Sequence, residues 1–171
     1  SSHKMLVIGD DNAGGKRLEV ALSETSDFVV FNLDDNVIKY TVNSGTGVQD
    51  GAWHHVLGVR DNSANEMRLY LDGIEAPLGP TDVTALGSID SDSGYGGLIG
   101  ASRNASDGAI GNTSVGEFSE VAVWNTALSS YEAREIYLQQ GYIHGNETHL
   151  DSSWTPKYED LVGYWKMDGN W

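Results

Sequence analysis

Two adjacent histidines, His54 and His55, are the residues that most directly suggest chemistry, because imidazoles bind metal ions and exchange protons near neutral pH. They lie in WHHVLGVR, where Trp53, His55, Leu57 and Val59 occupy one set of alternate positions. This period of two is typical of a β-strand, whose neighbouring side chains point to opposite faces. The two rings therefore cannot ligate one metal ion from the same face, and we expect the pair to be structural.

Two glutamates, Glu117 and Glu120, are the nearest approach to the paired carboxylates of a glycoside hydrolase. They belong to the segment VGEFSEVAVWN, which alternates apolar and polar residues and is predicted to be a strand over 115–124. Side chains three positions apart on a strand point to opposite faces, so the two carboxylates cannot serve one catalytic site. We therefore predict a protein that is not an enzyme, with a glucanase-type glycoside hydrolase as the alternative.

Three loops are rich in the carboxylate and amide oxygens that calcium prefers as ligands. They contain Asp10-Asp11-Asn12, Asp90-Ser91-Asp92-Ser93 and Asn104-Ala105-Ser106-Asp107. The second loop continues into SGYGG, whose glycines favour an exposed Tyr95 on which a sugar ring could stack. These loops predict either a ligand site assisted by calcium or a set of solvated acidic turns.

Acidic residues outnumber basic ones by 25 to 10 in the 171-residue chain, which gives a formal net charge of −15 at pH 7. A field of this sign repels nucleic acid and anionic membrane surfaces, so neither is an expected partner. Calcium and neutral ligands such as sugars suit it better. The absence of cysteine excludes disulfides, thiol nucleophiles and thiolate zinc sites. No apolar run approaches the ~18 residues that a membrane-spanning helix needs.

Short strands separated by turns rich in Gly, Asn and Asp must position these residues, and they predict an antiparallel sandwich of two sheets. The predicted strands are 5–8, 17–22, 28–32, 37–42, 53–60, 67–71, 98–100, 115–124 and 161–167. One helix is predicted after the capping box Ser129-Ser130-Tyr131-Glu132, with Gly141 as its end. We expect this helix to lie on one edge of the sandwich.

The chain is predicted to form a single domain over residues 6–171. The opening SSHKM, residues 1–5, is interpreted as an expression scar or a cut end and is left out of the fold.

The blocks DGAWHHV with MRLYLDG, within residues 50–73, and GEFSEVAVWNTALSSYEAREIYLQQG, residues 116–141, resemble the laminin-G-like and pentraxin branch of the concanavalin A-like jelly rolls. The resemblance implies an all-β, two-sheet antiparallel jelly-roll sandwich with one short helix. It also makes Trp53 and His54 structural marks of the fold. It implies little about function, because the same jelly roll carries lectins, adhesion modules, pentraxins and glucanases.

The pentraxin resemblance also suggests calcium ligands. In pentraxins an Asp-Asn pair before a strand joins an acidic segment that follows an Ile-Leu-Gly strand. Those positions correspond here to Asp11-Asn12 and to Ser102-Arg103-Asn104 after LIGA, with Asp107 as a substitute ligand. The candidate calcium ligands are therefore Asp11, Asn12, Asn104 and Asp107. The candidate ligand-binding residues are Asp90, Asp92, Tyr95 and Arg103.

The stretch LVGYWKMDG near the C-terminus resembles the strand that usually opens such domains, ahead of the segment matching KMLVIGDDN. We expect residues 161–168 to pair with the strand at 115–124 or its neighbours and to complete the sheet. An unpaired edge at that place would be open to self-association.

The sequence thus predicts a non-catalytic recognition module that binds carbohydrate or a cell-surface glycoprotein through its loops, with Ca²⁺ as the candidate cofactor. The alternatives are the glucanase-type hydrolase and a purely structural or adhesion module that self-associates within a larger surface or virion protein. An extracellular, cell-surface or virion-associated location is favoured.

Overall fold

The computed structural model describes residues 2–10, 15–23, 25–90, 96–104, 107–141 and 149–167. The longer strands are β1 (Ser2–Gly9), β2 (Arg17–Ser23), β3 (Phe28–Asp34), β4 (Lys39–Gly47), β5 (Val56–Asp61) and β6 (Glu66–Leu71). The shorter strands are β7 (Ile74–Glu75), β8 (Thr81–Asp82), β9 (Leu98–Ile99), β10 (Ser102–Arg103), β11 (Ile110–Gly111), β12 (Val121–Trp124) and β13 (Leu161–Trp165). Helix α1 covers Ser130–Gly141, and a 3₁₀ helix covers Tyr158–Asp160.

The first sheet is antiparallel and has the strand order β4-β3-β2-β1-β9. Its inner face is apolar because apolar side chains take alternate positions on each strand. Phe31 at its centre lies across from Val20 on β2 and from Val42 on β4. The second sheet has the order β5-β6-β7, and β8 pairs with β6.

The two sheets pack face to face, which confirms the predicted all-β antiparallel sandwich. Met67 and Leu69 of β6 join Phe31 and its neighbours in one buried core. The two sheets approach closely at Gly58 of β5, where a Cβ would lie 2.7 Å from the Phe31 ring. A two-residue turn joins β6 to β7, and its Asp72 (φ 52°) and Gly73 (φ 72°) have the positive φ of a type I′ hairpin.

Helix α1 begins at the predicted capping box. The Ser129 N–H donates to Glu132 Oε2 over 2.7 Å, and the Glu132 N–H donates back to Ser129 Oγ over 3.3 Å. Its buried Ile136 packs with Val59 and Tyr70, which point away from the core between the sheets. The helix therefore covers the outer face of the second sheet, and the expectation that it lies on an edge is wrong.

A row of hydrogen-bonded polar side chains crosses the face of the first sheet that points away from the core. Lys4 Nζ and Asn32 Nδ2 each donate to the Glu19 carboxylate over 2.8 Å, and Thr41 Oγ1 donates to Asn32 Oδ1 over 2.6 Å. Arg17 Nε lies 3.2 Å from Glu19 Oε2. Because Lys4 is only 5 % exposed and β1 starts at Ser2, the interpretation that residues 1–5 stand outside the fold does not hold for residues 2–5.

Strands β12 and β13 pair antiparallel and form a two-stranded sheet of their own. β13 thus pairs with the partner expected for it, over residues 161–165, but the pair is not hydrogen-bonded to either of the larger sheets within the described residues. The strand predicted over 115–124 is shorter than expected. It begins at Val121, because Glu120 takes a positive φ of 54° that a regular strand does not allow.

Candidate functional site

A cleft of about 500 Å³ separates the inner face of the first sheet from the segments around β5 and β12. Its floor is apolar and comes from β1, β2 and β3. One wall is formed by residues 51–57 and the other by residues 117–122 together with Trp124. The floor side chains are Met5, Leu6, Val20, Leu22 and Val29. A largely apolar hollow with a few polar groups at its mouth is the usual form of a ligand site.

A half-exposed tryptophan stands at the mouth of this cleft, beside an imidazole held between two carboxylates. Trp53 is 46 % exposed. His54 Nδ1 lies 2.8 Å from Asp72 Oδ2, and His54 Nε2 lies 3.1 Å from Asp50 Oδ1. We call these four residues, Asp50, Trp53, His54 and Asp72, the Trp53 rim.

The carboxylates of the Trp53 rim are fixed by the backbone. Asp50 Oδ1 accepts the Ala52 N–H over 2.8 Å, which lowers the pKa of Asp50 together with its bond to His54. Burial opposes the charged form of His54, but the hydrogen bonds to Asp72 and Asp50 outweigh it, so the pKa of His54 is raised above its ordinary 6.5. The rim therefore combines an imidazole hydrogen-bonded to two carboxylates with a half-exposed tryptophan.

His55 turns away from its neighbour and packs under helix α1. Its ring centroid lies 6.1 Å from that of Tyr137. Its Nδ1 is buried and has no hydrogen-bond partner among the described residues. Burial lowers the pKa of His55 to about 4, although the nearby Asp72 charge acts in the opposite sense. The rings of His54 and His55 thus diverge, as strand alternation predicts.

The opposite wall contains the two glutamates of the hydrolase alternative. Glu117 and Glu120 both lie among the residues that line the cleft. Neither belongs to a strand, so the strand alternation from which opposite faces were inferred does not apply to them. Glu120 is occupied in holding the C-terminal region: its Oε1 lies 2.9 Å from His149 Nδ1, and its Oε2 accepts the Tyr164 hydroxyl. Tyr164 also accepts the Leu150 N–H over 3.0 Å.

The predicted calcium and ligand residues fall partly outside the described ranges. Asp11, Asn12, Asp92 and Tyr95 lie there, so the calcium site stays a prediction. Of the others, Asp107 is exposed and its Oδ1 accepts the Ala109 N–H over 2.9 Å. Within the described ranges no three His, Asp or Glu side chains are grouped so that they could hold a metal ion.

The remaining predicted residues serve their own loops. The Asn104 carbonyl accepts the Gly108 N–H over 2.8 Å, and Arg103 Nη1 donates to the Gly108 carbonyl over 2.9 Å. Asp90 is exposed, and its Oδ2 accepts the Ser88 hydroxyl over 2.9 Å. These bonds shape the β10–β11 turn and the segment before residue 91.

Sequence reasoning took Trp53 and His54 only as marks of the fold and missed the rim they form. One signal was present in the sequence. Asp-Gly pairs at 50–51 and 72–73 flank the β5–β6 hairpin, and each places a carboxylate at a turn beside the histidines. Two such turns at the same end of one hairpin put both carboxylates near His54.

The comparisons with known proteins concern the fold. A solved structure of an S-layer domain-containing protein from Clostridium thermocellum is 19 % identical, with a TM-score of 0.40. The match covers 80 % of this chain and 63 % of that one. No curated protein matches the chain. No helix in the described part of the chain is long and apolar enough to span a membrane. A family model, Laminin_G_3, matches residues 1–134, so the chain belongs to this family of the concanavalin A-like lectin/glucanases superfamily.

Proposed function

We propose that this domain is a non-catalytic recognition module that binds neutral carbohydrate at the Trp53 rim. The observation that carries the proposal is the half-exposed Trp53 next to a fixed row of hydrogen-bonding groups. A sugar ring has an apolar face of C–H groups and an edge of hydroxyls. The indole face suits the first, and the rim carboxylates and imidazole suit the second.

The acidic character of the rim favours neutral sugars over uronic, sialic or sulfated ones. Asp50 and Asp72 lie in the rim, Glu117 is exposed on the opposite wall, and the whole chain carries a formal charge of −15. An anionic ligand would meet repulsion from each of these carboxylates.

A binding role is supported by the way the carboxylates are used. Asp50 and Asp72 hold His54, and Glu120 holds His149 and Tyr164. A glycoside hydrolase needs two carboxyl groups free to exchange protons or attack the sugar. The hydrolase alternative keeps one supporting observation, that Glu117 and Glu120 share the cleft. Release of reducing sugar from a β-glucan, abolished by Glu117→Gln, would establish it.

Binding to an array of neutral and acidic glycans tests the proposal. Trp53→Ala should abolish binding to any neutral glycan that the native protein binds. Trp165→Ala is the matched control, because Trp165 is also 46 % exposed but does not line the cleft. Equal binding by both variants, or a preference for acidic glycans, would refute the assignment to the Trp53 rim.

We also propose that the domain binds calcium and that it works in an extracellular, cell-surface or virion-associated setting. We propose that Ca²⁺ is held between the loop that contains Asp11 and Asn12 and the loop that contains Asn104 and Asp107, whose carbonyl and carboxylate oxygens are of the right type. The array should be repeated with a chelator. Loss of binding in the chelator would support the calcium loops, and unchanged binding would place recognition at the rim without a metal ion.

A further inference from the structure

Helix α1 is firmly anchored through its first half. Lys157 Nζ donates to the carbonyl of Ala127, just before the helix, over 2.6 Å, and it lies 3.5 Å from Glu132 Oε2 of the capping box. Ala133 and Ile136 are almost completely buried and pack in the apolar cluster on the outer face of the second sheet. The charge contact, the capping bonds and the apolar burial thus all act on the part of the helix that ends at residue 136.

The second half of the helix rests on the domain through the ring of Tyr137. This side chain is half-buried, whereas the next one, Leu138, is 42 % exposed. The Tyr137 ring covers the β6–β7 turn so closely that a Cβ on Gly73 would lie 2.9 Å from its Cδ1. On its other side is His55, whose ring centroid lies 6.1 Å away. The attachment of residues 137–141 therefore depends on this contact.

The contact is poorly suited to a charged imidazole. His55 Nδ1 is buried and has no hydrogen-bond partner among the described residues. The carboxylate whose charge acts on this ring belongs to Asp72. Both of its oxygens are already engaged, because Oδ1 accepts the backbone N–H of His55 over 2.9 Å and Oδ2 lies 2.8 Å from His54 Nδ1. A second proton on His55 would therefore create a buried charge whose counter-charge is held elsewhere.

The helix brings no counter-charge to this contact either. From α1 it is faced by the phenol of Tyr137 and by Arg134, whose Cα lies 3.2 Å from the place that a Cβ on Gly73 would take. The guanidinium of Arg134 carries the same sign of charge as a protonated imidazole. Burial accordingly outweighs the Asp72 charge and lowers the pKa of His55 to about 4.

We infer that the second half of helix α1 is a pH-sensitive element: uptake of a proton by His55 releases residues 137–141 from the β6–β7 turn, while the first half stays anchored. In the released state the imidazole reaches water, where its charged form is stable, so acid favours this state. A helix end without tertiary contacts is marginal, so the released turn frays. This inference goes beyond carbohydrate binding at the Trp53 rim and does not depend on it.

The size of the effect follows from the two states of the imidazole. With a pKa of 6.5 when released and about 4 when docked, a change from pH 7.5 to pH 5 should raise the ratio of released to docked helix ends about 25-fold. Amide hydrogen exchange at Leu138 and Gln139, corrected for the intrinsic effect of pH on the exchange chemistry, measures this ratio. Protection at these amides should therefore fall by about 25-fold.

Urea below the unfolding transition separates local release from global unfolding. Exchange at Phe31 and Leu33 in the core should be far slower and should accelerate with urea, because it requires unfolding of the whole domain. Exchange at Leu138 and Gln139 should not respond to urea. If these two amides exchange as slowly as those of the core and with the same urea dependence, His55 acts through global unfolding alone and the inference is wrong.

Variants of the two adjacent histidines identify the group that takes up the proton. His55→Gln keeps a polar side chain that does not titrate, and His54→Gln is the matched control. The 25-fold effect of pH at Leu138 should disappear in the first variant and persist in the second. Its persistence in both, or its loss in both, would overturn the assignment to His55.

Tyr137→Ala tests the contact itself without changing the titration of a histidine. Loss of the ring should let Leu138 and Gln139 exchange within a few-fold of the unprotected rate at both pH values, while Ile136 stays protected. Protection of Leu138 and Gln139 at the native level in this variant would show that other contacts hold the helix end, and would contradict the inference. All of these measurements use the whole chain without glycan, so failure of the carbohydrate proposal leaves their outcome unchanged.

Discussion

Replacement of the buried His55 by phenylalanine should weaken the acid sensitivity of the fold. In the folded protein the pKa of His55 is lowered to about 4, against an ordinary value of 6.5. The unfolded chain therefore takes up a proton at this residue as the pH falls below about 6.5, while the folded chain does so only near pH 4. The stability that His55 contributes above pH 6.5 is lost as the pH falls through this interval.

The size of the effect follows from the two pKa values. One pKa unit corresponds to about 1.4 kcal/mol, and the proton uptake by the unfolded state grows between pH 7.5 and pH 5. Over this interval His55 should lower the free energy of unfolding by about 2 kcal/mol. Phenylalanine has a similar shape, takes up no proton and removes the buried Nδ1 that has no partner among the described residues.

Urea denaturation at pH 7.5 and pH 5 measures this difference. Relative to the native protein, His55→Phe should gain about 2 kcal/mol more stability at pH 5 than at pH 7.5. His54→Gln is the control of opposite sign, because the raised pKa of His54 gives stability that is present below pH 6.5 and lost as the pH rises through the raised value. Parallel pH profiles of His55→Phe and the native protein would refute the reasoning.

Three substitutions test the packing that surrounds the site. Glu19→Gln removes the buried carboxylate that Lys4 and Arg17 share, while Arg17 keeps its ion pair with Asp34. It should cost about 3–5 kcal/mol in denaturant unfolding, which a loss below about 1 kcal/mol would contradict. Gly58→Ala places a methyl group 2.7 Å from a Phe ring and should lower the melting temperature, whereas Gly111→Ala, with no atom within 4 Å, should not. Tyr164→Phe leaves Glu120 without its hydroxyl donor and should cost about 1–3 kcal/mol, measured by thermal unfolding. A neutral result would show that β13 is held by its backbone alone.

The parts of the fold that sequence predicts are those that local patterns determine. Alternation over residues 17–22 and 28–32 predicts β2 and β3, and Ser129 with Glu132 predicts the start of α1, because each pattern is satisfied by neighbours in the chain. The strand predicted over 115–124 is wrong in its first half, because alternation alone does not show where a strand ends. Its alternation continues to residue 115, but the positive φ of Glu120 ends the strand and lets both glutamates reach the cleft.

The site is harder to predict because it depends on contacts between distant segments. Lys4 belongs to a stretch that resembles a terminal scar, but it pairs with Ala21 of β2 and its Nζ donates to Glu19, fifteen residues away, which places it inside the fold. Trp53 alternates with apolar residues in the sequence, yet it is 46 % exposed, because it lies ahead of β5 and outside the paired strands. Sequence alternation shows which side chains share a face and does not show whether an edge is paired.

One carboxylate connects the Trp53 rim with the start of β5. Asp72 Oδ2 contacts the His54 ring at 2.8 Å, and Asp72 Oδ1 accepts the His55 N–H over 2.9 Å, one residue before β5 begins. A shift of either histidine therefore moves the partner of the other. Asp72 thus ties the position of the rim imidazole to the backbone at the start of β5.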